Sequence, residues 1–299
     1  MDYGALLTAI GDGGANGASL AERFHVSRTM IWKAVKQLRA EGVCIEGTAG
    51  EGYRLVDEAG FGRHTLAWRL GRPVHFFERC GSTNVEARKI ASTSPHPAGT
   101  VVVADVQDEG RGRLGRQWEA EHGQNLLFSV VLKPTILPQL APVCVLAWAA
   151  AMADVLDCRV KWPNDLMSPT GQKLGGILAE LSAEAERVRF VVLGVGINVN
   201  QRTFPGLPDA TSLASLRGES IDRAALLAQL VAAVEAVDTD SPPSLDQWRD
   251  RSHTLGKRVR VGSIEGLASD VRDDGALLID GQAVLAGDVH LLGGSPSGG

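Results

Sequence analysis

Cysteine is scarce in this chain. Four occur in 299 residues, Cys44, Cys80, Cys144 and Cys158, and no two form a Cys-x-x-Cys pair. That scatter excludes a zinc cluster and a disulfide framework, and leaves the cysteines as packing residues of a reducing compartment. Long apolar runs are also missing. The nearest approach, from Val143 to Val155, is interrupted by Asp154, so no membrane span and no membrane partner are expected. The first residues carry neither the basic start nor the unbroken apolar stretch of a signal peptide, and the expected location is the cytoplasm. Positive charge is not in excess either: 30 Lys and Arg stand against 35 Asp and Glu, a net charge of −5, which argues against a generic polyanion binder. With 44% hydrophobic and 22% charged residues, the length suffices for two or three domains and a full core.

What the chain does have is one dense loop. Gly110 to Trp118 reads GRGRLGRQW, between the apolar runs Val101–Val106 and Leu126–Leu132. Both runs read as buried strands, so the loop is anchored on a sheet and is unlike a flexible Arg/Gly tail. Glycine admits positive φ and close backbone approach. Arginine keeps its charge and offers a forked donor array to carboxylate or phosphate. Arg111, Arg113 and Arg116 therefore suggest an anion site, and glycines 110, 112 and 115 suit a loop that orders over a ligand.

Residues 1 to about 58 read as a small helical unit with a β-ribbon. Leu6, Leu7 and Ile10 mark a first helix. Ser19 and Glu22 are spaced as a capping box for a second, and Ser27 is placed to cap a third that runs through Leu38. In the third, Ile31, Ala34, Val35 and Leu38 form an inward stripe. Cys44–Glu46 and Tyr53–Val56 suggest a hairpin across Gly47 to Gly52. Helix, turn, basic helix and hairpin together predict a winged helix-turn-helix. Five cations and no acid occur from Arg23 to Arg39, and Ser27, Arg28, Thr29, Lys33 and Lys36 are the candidate DNA contacts. Over residues 1 to 58, however, six basic residues meet eight acidic ones, which leaves a protein-docking winged helix open.

From about 61 to 240, strand and helix patterns alternate, the pattern of an α/β domain. From about 255 to 293, Arg258–Val261, Ala276–Ile279 and Val289–Leu292 read as short strands with Asp-Gly turns, predicting a small β-barrel. The glycine- and serine-rich end predicts a disordered tail.

Three further motifs carry polar groups to strand ends. Lys161-Trp162-Pro163-Asn164-Asp165-Leu166 follows a strand and turns at the proline. Its Asn164 and Asp165 suit either a ligand amide and a Mg²⁺ carboxylate or a plain Asx turn. Lys173-Leu174-Gly175-Gly176-Ile177-Leu178-Ala179-Glu180 places a lysine at a strand start, followed by glycines on which a flat ligand could lie; a surface lysine before a buried strand is the plainer alternative. Ser82-Thr83-Asn84 opens a helix, with Thr83 and Glu86 spaced as a capping box.

In this order, STN, GRGRLGRQW, KWPNDL and KLGGILAE resemble the signature set of the biotin protein ligases. With a winged helix ahead and a small barrel behind, the chain resembles the bifunctional class, both ligase and biotin operon repressor, from about residue 3 to 292. Lipoate ligases share the catalytic fold but are not expected to show this loop or the winged helix. The resemblance implies a winged helix-turn-helix over 1–60, an α/β (α+β) catalytic domain of the biotin/lipoate ligase type over 61–250, a small C-terminal β-barrel over 251–293 and a tail over 294–299. It implies biotin and MgATP as substrates, biotinyl-5′-AMP as intermediate, and no permanently bound cofactor. The implied partners are a biotin carboxyl carrier protein of acetyl-CoA carboxylase, operator DNA, and a second copy of the chain when the adenylate is bound.

Carried over by motif, Ser82, Thr83, Asn84 and Gln107 would hold the ring end of biotin, and Gly175 and Gly176 would line its slot. Gly110 and Arg111 would close over the biotin tail and α-phosphate. Arg113 and Arg116 would steady the phosphates and Trp118 would cover the adenylate. Asn164, Asp165 and Asn198 would serve ATP, with Asp165 on magnesium. Lys173 would bridge the biotin carboxylate and α-phosphate, and with Arg111 and Arg113 it makes the catalytic set. Asp108-Glu109 departs from the small or neutral residues usual there, and Glu109 is expected to face solvent. Three rival functions stay open: a ligase whose winged helix does not bind DNA, a biotin-sensing regulator without transferase activity, and an enzyme activating another small carboxylic acid.

Overall fold

The computed structural model describes residues 1–47, 52–57, 60–185 and 187–292. Contacts divide the chain into two units, Met1–Phe76 with Asp222–Ala228, and Phe77–Ile221 with Gln229–Gly299.

In the first unit, α1 (Tyr3–Gly11) begins where the Asp2 carboxylate accepts the Ala5 N–H at 2.9 Å. The second helix, α2 (Gly17–Arg23), is capped by Asn16, whose Oδ1 accepts from Ala18 and Ser19. The capping box expected at Ser19 and Glu22 therefore lies inside the helix. Asn16 already satisfies the first free donors, one of them the N–H of Ser19, so the helix starts a turn early. Ser27 does cap α3 (Arg28–Ala40), accepting from Met30 N at 3.2 Å. The predicted stripe of α3 is buried and packs with Leu6, Leu7, Ile10 and Leu20. The strands β1 (Cys44–Glu46) and β2 (Arg54–Asp57) pair antiparallel, with Ile45 opposite Leu55 and Glu46 opposite Arg54. The turn between them, at 48–51, lies outside the described residues.

By contacts the first unit runs past residue 60 to Phe76. The next helix, α4 (Arg63–Leu70), has Gly62 as N-cap and no capping side chain of its own. Glu41, at the end of α3, supplies one from a distance: its Oε2 accepts from His64 N, Thr65 N and Thr65 Oγ1, and its Oε1 meets His64 Nδ1 at 2.5 Å. Trp68 joins the same core and donates to Thr8 Oγ1 at 3.2 Å. A buried carboxylate that serves three donors ties α4 to the helix-turn-helix.

In the second unit a seven-stranded sheet carries the site. Its strands are β3 (His75–Cys80), β4 (Val101–Gln107), β5 (Leu126–Leu132), β6 (Arg159–Lys161), β7 (Asp165–Met167), β8 (Lys173–Glu184) and β9 (Arg187–Ile197), ordered β3-β4-β5-β9-β8-β7-β6. Helix α5 (Thr83–Thr93) joins β3 to β4, and α6 (Ala141–Leu156) joins β5 to β6. From β4 across to β6 every pairing is antiparallel, so of the expected α/β (α+β) class the α+β form holds. Ala87 and Ala91 of α5 pack on Val102, Val131, Phe190 and Val192 of the sheet. The stretch Pro138–Leu156 is long and apolar enough to cross a membrane by length and composition, but Trp148, Met152 and most of its other residues are buried within the protein. Beyond the sheet come α7 (Leu213–Arg217), α8 (Arg223–Glu235) and α9 (Asp246–Asp250).

The C-terminal strands β10 (Arg258–Val261), β11 (Ile264–Val271), β12 (Leu277–Ile279), β13 (Gln282–Val284) and β14 (His290–Leu291) form one antiparallel sheet ordered β13-β12-β11-β10-β14. It stands where a small barrel is expected; among the described residues its pairings leave β13 and β14 at the edges. The tail expected at 294–299 lies outside the described residues. All four cysteines are free, and burial pushes the thiols of Cys144 and Cys158 up to about 12, as suits packing residues.

Candidate active site

One cleft of about 730 Å³ gathers the predicted motifs, within the range of small-molecule sites. Every candidate ligand-binding residue lines it except Gly110 and Gly175. Gly110, expected to close over the biotin tail, and Gly175, expected to line the biotin slot, act instead as spacers. A Cβ on Gly110 would stand 2.3 Å from the Trp118 carbonyl oxygen, and one on Gly175 would stand 2.8 Å from that of Gly196. Only glycine lets these backbones meet.

At one end the cleft is polar and uncharged. Ser82 is the N-cap of α5 but makes no side-chain capping bond. The box expected at Thr83 and Glu86 is replaced from a neighbouring strand: Gln107 Oε1, at the end of β4, accepts from Thr83 N at 2.7 Å and Thr83 Oγ1 at 3.0 Å. Buried Ser129 on β5 places its hydroxyl 2.8 Å from Thr83 Oγ1 and 2.7 Å from Asn84 Oδ1, while Asn84 Nδ2 donates to the Leu178 carbonyl oxygen. Gly194 makes room for Asn84, since a Cβ there would fall 2.1 Å from Oδ1. Neither Ser129 nor Gly194 is singled out above. A lone hydroxyl in the apolar run LLFSVVL is the signal that marks Ser129.

The arginine loop folds back on itself. Trp118 N donates to Gly110 O at 2.9 Å and Gly112 N to Arg116 O at 2.7 Å, with Arg111 bridging Gln117 between them. At the tip Leu114 has φ 55° and Gly115 φ 75°. This return lays the Trp118 ring on the sheet, where Gly176 of β8 faces Gly196 of β9. A Cβ at Gly196 would come 2.5 Å from the indole, and one at Gly176 3.5 Å from it. The glycine floor thus holds the indole, whose Nε1 is buried without a partner. Asp108 and Glu109 are exposed, as expected of Glu109, and Asp108 pairs with Arg79 at 2.5 Å.

The other end is charged. Lys173 Nζ lies 2.7 Å from Asp165 Oδ1 and 5.8 Å from the centre of the Trp118 ring. The backbone of Lys173 is clamped by Asp209 O at 2.6 Å and Thr211 N at 2.9 Å. Asn164 Nδ2 donates to Ile177 O and Asn198 Nδ2 to Thr211 O, so both amides brace the wall they line. Trp162 is buried. It donates from its backbone to Thr254 Oγ1 at 2.9 Å and from its indole to Gly275 O at 3.0 Å, fixing the KWPND turn to the C-terminal sheet. Lys161, unassigned above, also lines the cleft. Burial lowers its pKa, Asp165 opposes that, and Lys173 and Arg116 reinforce it. Burial likewise lowers that of Arg113, which stays charged.

Two segments enter that no motif marks. Phe204 to Ala210 forms one rim, and Asp288 to His290, in the approach to β14, forms another. Arg116 pairs with Asp288, and Arg113 donates to Gly287 O at 3.4 Å. Among the described residues no three His, Cys, Asp or Glu side chains form a metal cluster. Asp165, which the cleft shares with Asp209 and Asp288 and which pairs with Lys173, is a carboxylate of the kind Mg²⁺ takes, since that ion keeps its waters and binds through one or two carboxylates plus substrate phosphates.

A neutral hydrogen-bonded end, a charged end and a glycine floor between them make a cleft for a small molecule, and the class of the protein follows from its relatives. The biotin/lipoate A/B protein ligase family model matches residues 76–198, and a helix-turn-helix domain matches 10–54. The bifunctional ligase/repressor BirA of Bacillus subtilis (strain 168) is 34% identical over 303 residues, 92% of each chain. The biotin–[acetyl-CoA-carboxylase] ligase of Mycobacterium tuberculosis is 36% identical over 74% of this chain and 90% of its own. Among solved structures, the biotin protein ligase from Aquifex aeolicus in complex with biotin and ATP superposes with TM-score 0.59 and 29% identity, over 73% of this chain and 98% of its own. The chain belongs to the biotin protein ligases, in the bifunctional ligase/repressor form with an N-terminal helix-turn-helix domain, and is a ligase by class.

Proposed function

We propose that the chain joins biotin to ATP as biotinyl-5′-AMP and then transfers the biotinyl group to one lysine of a biotin carboxyl carrier protein. The observation that carries this reading is the polarity of the cleft: the Ser82–Thr83–Gln107 end suits a neutral ureido ring, and the Lys173–Arg113–Arg116 end suits phosphates. In the first step a biotin carboxylate oxygen attacks the α-phosphorus. The bond to the β-phosphate breaks, and pyrophosphate leaves with the electron pair. In the second step the neutral carrier amine attacks the biotinyl carbonyl, the C–O bond to phosphate breaks, AMP leaves with the electron pair, and the amine's extra proton is lost to solvent.

Two anions must meet in the first step, and Lys173 is the group to lie between them, giving up Asp165 as it does so. Arg111, Arg113 and Arg116 offset charge that grows on the phosphoryl oxygens, worth most where water is excluded. The magnesium that arrives with ATP would be held at Asp165 and the phosphates, and would offset phosphate charge there. Trp118, Asn164 and Asn198 would position the nucleotide, and Asn84 and Gly176 the biotin.

The helix-turn-helix is read as an operator-binding domain, through Ser27, Arg28, Thr29, Lys33 and Lys36, all exposed. The adenylate would favour the dimer that places two such helices on a two-fold site, making the chain a repressor of biotin synthesis genes. The domain map 1–60, 61–250 and 251–293 follows as an assignment of roles. The acidic balance of residues 1–58 favours a second reading, a ligase whose winged helix does not bind DNA.

The test is label transfer. Purified chain with MgATP, biotin and a biotin carboxyl carrier domain is followed by avidin blot. Transfer that is lost in Lys173→Ala and Arg111→Ala is the expected result. Tight biotin binding without transfer would make the chain a sensor, and no binding would remove the reading.

A further inference from the structure

We infer that Trp32 is a specificity-determining residue of the DNA interface, making apolar contact with thymine 5-methyl groups in the major groove while Lys36 takes a flanking phosphate. The inference rests on the operator-binding reading and names its chemistry. Four observations carry it. On α3 the buried residues are Ile31, Ala34, Val35 and Leu38, so the opposite face is free. Trp32 is 51% exposed, a large apolar surface to leave in water on a helix whose own core is complete. At 3.6 residues per turn Trp32 stands only about 60° from Thr29 and about 40° from Lys36 around the helix, within the face that carries the candidate contacts. The Lys36 ammonium lies 5.4 Å from the centre of the indole ring, which holds the two side chains together.

The surroundings commit the occupant to nucleic acid rather than protein. Arg28, Lys33 and Lys36 are exposed on the same helix and no acidic residue occurs from Arg23 to Arg39. Among the described residues none of the three makes an ion pair. Arg39 is different, since its Nε donates to Ile45 O at 2.9 Å and anchors the wing. An unopposed cationic face around one indole matches a phosphate-walled groove. Within that groove the thymine methyl is the apolar feature of a base edge that an aromatic side chain can read. Phosphate contacts position the helix and base contacts select sequence, so Trp32 and Lys36 differ in what they change.

The experiment uses the full chain with biotin and MgATP, and fluorescence anisotropy on three duplexes. These are the promoter region of the biotin synthesis genes of the same genome, that duplex with deoxyuridine for every thymine, and a random-sequence duplex. The expected result for Trp32→Ala is a loss of about tenfold or more in preference for promoter over random DNA, with the salt slope unchanged. Trp32→Phe should restore most of it. Deoxyuridine should weaken the wild type but cost Trp32→Ala little more. Lys36→Ala should weaken both sequences alike and lower the salt slope by about 0.9. Equal losses on promoter and random DNA for Trp32→Ala, or a deoxyuridine penalty undiminished by it, overturn the inference while DNA binding stands. A wild type that prefers neither duplex overturns the operator reading itself, and carrier biotinylation by the variants shows that they are folded.

Discussion

The cations of α3 and those of the cleft are arranged in opposite ways. Arg28, Lys33 and Lys36 stand in solvent without acidic partners among the described residues. In the cleft, Lys173 is held by Asp165 and clamped through its backbone, Arg116 is held by Asp288, and Arg113 donates to Gly287 O. The first arrangement is a screened field, suited to a polyanion whose counterions it releases. The second fixes charge before the ligand arrives, so less reorganisation is left for the reaction. On the proposed function its carboxylates are a cost, because each would have to let its cation turn to phosphate.

Removing a held cation should have the largest effect. Lys173→Ala should lower the rate of biotin-dependent pyrophosphate release by a factor on the order of 10²–10³. Lys173→Arg should rescue little, since a planar fork does not replace a compact ammonium. A loss under tenfold would break the contrast between the two regions.

His253 sharpens the comparison from the other side, as a base packed beside cations without an acid. Burial first, then Lys257, Lys161 and Arg159, depress it to about 4. The unfolded chain keeps a value near 6.5, so acidification protonates the unfolded state first. The stabilisation is complete above about 6.5 and is lost as the pH falls towards 4. Urea midpoints measured across that range should fall for the wild type and stay flatter for His253→Gln.

Next comes the wall of the neutral end. Gly194→Ala would drive a methyl into Asn84, which is already bonded to Ser129 and Leu178. It should cost about 1–3 kcal/mol of stability, read as a lower Tm, and raise KM for biotin more than for ATP. Equal changes in the two KM values would mean that this end does not hold biotin. Smallest of all should be Asp288→Asn. Its partner Arg116 is mostly exposed, so the pair contributes about 0–1 kcal/mol, and KM for ATP should shift severalfold at most.

The division between legible and hidden follows the physics of locality. GRGRLGRQW, KWPNDL and KLGGILAE declare themselves because each packs several special residue types into a few positions, and the buried stripe of α3 follows from period alone. Ser129 leaves one trace, a hydroxyl among apolar neighbours. The remainder depends on distant partners. Gln107 caps α5, Glu41 caps α4, and Trp162 reaches Gly275 across 113 positions. The rims at 204–210 and 288–290 are closed by tertiary packing and carry no local signature. Gly176 and Gly196 become a floor only when β8 and β9 pair in register, and what that floor holds here is Trp118.

The most direct test is pyrophosphate release by the full chain with MgATP and biotin but no carrier. Release should require biotin, be lost in Lys173→Ala, and be unchanged in Lys36→Ala. Release that ignores biotin, or that survives in Lys173→Ala at the wild-type rate, would contradict the proposed function.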